Sequence, residues 1–167
     1  PSKDSIFTIG KIADKDLANL AQYCNQHTYF SKEDQQSAVW CVSDKRPLAS
    51  IPEGNEELRL FVSKITGEEI PWYQIEYENA NSNSVTSHTV NRISGNVNYT
   101  LEKEGKFKIE LRDTKGRLIQ HYTDKKTAEA GNHDYWFDMQ VNHYPKGRYY
   151  IHFYNDNQLV AKKQFVI

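Results

Sequence analysis

Six histidines, two cysteines and a surplus of aromatic rings are the residues of this 167-residue chain whose types could do chemistry. His27, His88, His121, His133, His143 and His152 form no H-E-x-x-H or H-x-H pattern, and no carboxylate stands at a ligand offset on a shared helix. His133-Asp134 and His143 fall near expected turns, where scattered groups could converge, but nothing in their spacing asks for a metal, and no cofactor is expected. There is no nucleophile elbow, no P-loop and no dinucleotide fingerprint. Asp113-Thr-Lys-Gly116 and Asn155-Asp-Asn157 are oxygen-rich, yet ordinary turn chemistry explains both better than calcium does. Asn98-Tyr-Thr100 is formally a glycosylation sequon. Cys24 and Cys41 lack any C-x-x-C partner and fall on apolar helix positions. They read as buried free thiols, or as a disulfide across a helix pair in an exported protein. No catalytic residue emerges, so the chain reads as a non-enzymatic module, with an enzyme whose site is assembled in space from scattered His and Asp side chains as the alternative.

The aromatic residues carry more. Along Arg148–Tyr154, Tyr149, Ile151 and Phe153 share one face of a strand, and Tyr150, His152 and Tyr154 share the other. If the first face is core, the second is an aromatic stripe. A helical part of the chain would cover it, or it stands open as a platform for a sugar ring or a peptide. Trp72, Tyr73 and Tyr77 would extend either arrangement. The candidate ligand-binding residues are therefore Tyr150, His152, Tyr154, Trp72 and Tyr73, with an unidentified protein or glycan as partner.

Positioning these residues takes two kinds of element. Asp14 is a plausible N-cap for a helix carrying Leu17, Leu20, Ala21 and Cys24. Ser31-Lys-Glu-Asp34 opens a second helix whose apolar residues are Ala38, Val39, Trp40 and Val42. A third, opened by Pro52–Glu56, carries Leu58, Phe61, Val62 and Ile65 and stops at Gly67. An opening strand is expected over Ser5–Gly10. From Glu68 the period changes from helical to two. Strands are expected over Ile70–Tyr77, around Val97-Tyr99-Leu101, over Lys106–Asp113, Arg117–Tyr122, around Tyr135-Phe137-Met139, over Arg148–Tyr154, and through Leu159 to Ile167. Residues 79–88 and 123–132 read as polar connections. Phe107, Ile109, Leu111, Tyr149, Ile151 and Phe153 should form one core. The expected fold is α+β, a small helical subdomain over 1–67 followed by an antiparallel Ig-like β-sandwich over 68–167.

Composition narrows the partners. A net charge of −1 from 21 basic and 22 acidic residues gives no nucleic-acid surface. No apolar run approaches the roughly 18 residues of a membrane span. The chain opens at Pro1, which reads as a trimmed terminus behind which a signal peptide or upstream domain would lie.

Two stretches resemble known families. Ile109-Glu-Leu-Arg-Asp-Thr-Lys-Gly-Arg-Leu118, Ala130-Gly131, Tyr144-Pro-Lys-Gly-Arg-Tyr-Tyr-Ile151 and a closing strand with Lys162-Lys163 resemble the C-terminal β-sandwich modules of proteins exported by the type IX secretion system. The same run is similar to the Ig-like domains of flagellar hook-capping proteins. The resemblance implies a secreted or cell-surface bacterial protein, with the periplasm as the alternative location, and the lack of any catalytic spacing makes adhesion, ligand binding or assembly its expected role. Gln36-Ser-Ala-Val-Trp40 resembles the Gln-x-Ala-Ile-Trp helix of bacterial thioester adhesin domains, with Val for Ile. That resemblance implies Gln36 as the thioester-forming residue. The family's cysteine lies far upstream, whereas Cys24 sits twelve positions before Gln36, on a different expected helix.

Overall fold

A computed structural model describes residues 14–78 and 89–167, apart from the side chains of 123–126. The expected opening strand over Ser5–Gly10 and the polar connection over 79–88 lie outside the described residues. The fold is α+β, with two compact units, one up to Ile70 and the other from Pro71 to Ile167.

The first unit holds helices α1 (Lys15–Gln26), α2 (Lys32–Ser43) and α3 (Glu56–Thr66), with a single 3-10 turn at Leu48–Ser50. Three of these boundaries have a local chemical cause. The Asp14 carboxylate accepts the Asp16 N–H at 3.3 Å, and the Ser31 hydroxyl accepts the Asp34 N–H at 3.1 Å. Gly67 ends α3 at φ 74°, a left-handed conformation that costs a residue without Cβ nothing. Leu20, Cys24, Phe30, Ala38, Cys41, Leu58 and Val62 close the core of this unit. On α2 the apolar run divides differently from the expected face. Ala38 and Cys41 are buried, whereas Val39 is exposed and Trp40 half-exposed under the Arg46 guanidinium. A helix buries one stripe at i, i+3 spacing, and adjacent residues cannot share it.

The second unit is a two-layer antiparallel sandwich. One sheet has the order β1-β2-β5, from Gln74–Tyr77, Val90–Leu101 and Gly131–Gln140. The other has the order β4-β3-β6-β7, from Leu118–Ala128, Gly105–Asp113, Arg148–Asn155 and Gln158–Val166. The six residues expected to form a common core are all buried. Rings from the two sheets interlock between the layers, with Tyr99 stacked on Phe107 at 4.8 Å and Phe137 meeting Phe165 at 5.7 Å. Asp156 and Asn157, both at positive φ, turn β6 back into β7.

Two boundaries differ from expectation. The segment read as a polar connection over 123–132 is instead mostly strand, since β4 runs on to Ala128 and β5 starts at Gly131. Its backbone pairs with β3 from Arg112–Leu118 to Gly105–Ala128, and backbone pairing on an edge strand needs no apolar side chain. The first strand is shorter than Ile70–Tyr77, because Trp72 and Tyr73 are committed elsewhere. Their backbone crosses so close to β2 that a Cβ on Gly95 would stand 2.5 Å from the Trp72 carbonyl oxygen and 2.8 Å from the Tyr73 Cα. Gly95→Ala is therefore expected to destabilise the protein by about 1–3 kcal/mol, the usual cost of overpacking against an unyielding backbone. Urea denaturation measures it, and a change below about 0.5 kcal/mol would contradict the close approach.

Candidate functional site

The outer face of the four-stranded sheet is built from three strands in register. The β6 residues Tyr150, His152 and Tyr154 pair across to Arg112, Glu110 and Lys108 of β3. On the other side Tyr150 and His152 pair with Gln164 and Lys162 of β7. Alternation then sends all of these side chains outward, away from Tyr149, Ile151 and Phe153.

Charge and rings alternate across this face. The Lys162 ammonium lies 4.1 Å from the centre of the Tyr150 ring, and the Lys108 ammonium 4.7 Å from that of Tyr154. His152 Nδ1 is 3.0 Å from the Tyr154 hydroxyl. Burial, then the neighbouring Lys162 and Arg112 charges, push the His152 imidazole below its ordinary 6.5, so it is neutral at pH 7. Glu110, only 2% exposed, sits among these groups. It takes Lys108 Nζ at 2.7 Å and two hydrogen bonds from Arg112, at 2.9 Å from Nε and 2.5 Å from Nη2. Burial alone would raise this carboxyl, but the hydrogen bonds from Lys108 and Arg112 outweigh it and hold it below its ordinary 4.5. Locked cations and half-buried rings make a pre-ordered surface with a net positive sign.

Of the residues singled out from sequence, the structure brings together Tyr150, His152 and Tyr154 and leaves the others elsewhere. The Trp72 indole donates to the Gln164 carbonyl at 2.7 Å, and the Val166 N–H donates to the Tyr73 hydroxyl at 3.2 Å. These bonds clasp the backbone of β7, while the two rings face Phe137 and Phe165 of the inter-sheet core. Trp72 and Tyr73 thus do not extend the stripe. Gln36 stands exposed on α2, whereas Cys24 and Cys41 are both buried free thiols. Burial raises both thiols above their ordinary range. Among the described residues no group of His, Cys, Asp and Glu is disposed to hold a metal ion.

Sequence reasoning missed Lys108, Glu110, Arg112 and Lys162 as companions of the stripe. The alternation on β3 was visible, but that β3 and β7 flank β6 was not.

Residues 91–167 match the family model described as a secretion system C-terminal sorting domain. That is the class implied by the resemblance to type IX secretion modules, and the protein is secreted or displayed at the cell surface of a bacterium. Gln36–Trp40, the segment resembling thioester adhesins, lies outside the matched residues. No curated protein matches the chain. No helix among the described residues is long and apolar enough to cross a membrane.

Proposed function

We propose that the protein is a binding module of the secreted or surface-displayed class and that its recognition surface is the outer face of the four-stranded sheet. The partner is an acidic protein segment of the cell envelope or its export apparatus. The observation that carries this reading is the seating of Lys162 and Lys108 over the rings of Tyr150 and Tyr154. Cations held by aromatic faces keep their charge at the surface and lose little freedom on binding. The single carboxylate among these groups, Glu110, is already neutralised by its own strand. A sugar stacked on the same two tyrosines is the second reading, suggested by their two-residue spacing along β6. It is weaker, because the lysines occupy the ring faces that a sugar would need.

The test is retention of the purified chain on envelope fractions of a bacterium that exports by this route. Tyr150→Ala/Tyr154→Ala is expected to weaken retention about tenfold or more, the loss of roughly 1.4 kcal/mol in two ring contacts, with little change in melting temperature. Binding of the unaltered chain should also fall between about 0.05 and 0.5 M NaCl, as charge attraction is screened. Unchanged retention in a stably folded double variant would remove this face as the site. A loss of stability without a loss of retention would make the stripe a structural seam.

A further inference from the structure

The opposite surface of the sandwich, the outer face of the three-stranded sheet, has a different chemistry. Trp136 on β5 is 52% exposed, although its strand neighbours Phe137 and Met139 are buried. It pairs across to Asn96 of β2, and the next pair on the same face is Asp134 with Asn98. The three positions Asn96, Asn98 and Asp134 carry short polar side chains, and the indole stands half-exposed beside them. The Asn96 amide donates to Asn98 Oδ1 over a long 3.4 Å, which leaves most of the donor and acceptor capacity of these two exposed amides turned outward. On the far side of Trp136, Asp138 is neutralised by a two-pronged bond from Arg92, which also reaches Glu76 at 3.7 Å.

We infer that this face binds a neutral pyranose polysaccharide, with the Trp136 indole as the stacking platform and Asn96, Asn98 and Asp134 as the hydrogen-bonding flank. The indole offers a flat apolar surface that matches the C–H face of a pyranose ring and is fixed by only two rotatable bonds. Its companions lie about 4.5–5.5 Å away across the strands and about 6–7 Å away along β5, within reach of the ring hydroxyls. Charge selects among glycans. Glu76, Asp134 and Asp138 outnumber Arg92 on this face, so an acidic polysaccharide is repelled while a neutral one is not. The site is separate from the cationic face proposed above and does not depend on it.

The experiment titrates the whole chain with laminarin, glucomannan and xylan by calorimetry and tryptophan fluorescence, with polygalacturonate as the acidic counterpart. At least one neutral polysaccharide is expected to bind and to shift the fluorescence, with an affinity insensitive to about 0.5 M NaCl. Trp136→Ala should weaken binding about tenfold or more, Trp136→Phe less, and Asn96→Ala severalfold, while Tyr150→Ala/Tyr154→Ala leaves it unchanged. Because Trp136 and Asn96 are exposed, all three variants of this face should melt with the parent. The inference is overturned if none of the three neutral polysaccharides binds, if only polygalacturonate does, or if binding survives Trp136→Ala intact.

Discussion

Phe153→Ala is expected to destabilise the sandwich by about 3–5 kcal/mol, the range for truncating a fully buried aromatic side chain. Phe153 is entirely buried in β6 and sits where both layers meet. Its ring centre is 5.4 Å from that of Tyr99, 5.8 Å from that of Tyr135 and 6.0 Å from that of Phe107. Two of these rings come from the opposite sheet, so truncation removes contacts that hold the layers together as well as apolar area. The cavity cannot close cheaply, because the flanking Ile109 and Ile151 are themselves fully buried in paired strands. Urea denaturation followed by circular dichroism in the β region reports the loss. A cost below about 1 kcal/mol would mean that this face of β6 is not the core.

Glu110→Gln carries the second large effect. The carboxylate is buried, but Lys108 and Arg112 keep about a quarter of their side-chain surface, at 24% and 26%. Removing one partner of a fully buried pair costs roughly 3–5 kcal/mol, and solvent at the two cations reduces that here to about 2–3 kcal/mol. The same carboxylate makes stability depend on pH. Its folded value lies below its ordinary 4.5, so its contribution is complete above that pH and is lost as pH falls toward the folded value. His152, also depressed, acts in the same direction from a higher starting point, losing its contribution as pH falls below 6.5. Denaturation curves at several pH values should therefore show the parent losing stability on acidification. Glu110→Gln should flatten the part of the profile below about pH 4.5 and extend the His152 part to lower pH, because the Glu110 charge that partly offsets the depression of the imidazole is gone. An unchanged acid limb in that variant would show that Glu110 is not the titrating group.

The sequence by itself determined the local grammar of this protein. The helix boundaries at Asp14, Ser31 and Gly67 were legible because capping is a contact between residues two or three apart, or a backbone angle that one residue adopts freely. The dry faces of β3 and β6 were legible because alternation on one strand separates buried from wet positions without knowledge of its neighbours. The opposed positions of Tyr150, His152 and Tyr154 followed from the same rule.

Only the tertiary structure decided what stands beside those positions. Glu110 has the look of a surface charge in an alternating strand, and its burial depends on β6 lying alongside with His152 opposite. Lys162 reaches Tyr150 only because β7 forms the edge next to β6, an order that no residue of either strand specifies locally. Trp72 and Tyr73 looked like part of an aromatic surface, yet they brace β7 from a position more than ninety residues earlier in the chain. Ring counts cannot separate an aromatic that binds a ligand from one that clasps a strand. Trp136 was lost between Tyr135 and Phe137 for the opposite reason: its wet parity was visible, but its flat polar surroundings come from β2. Periodicity is a property of one segment, whereas a site is a property of register between segments, and register is set by packing across the whole sandwich.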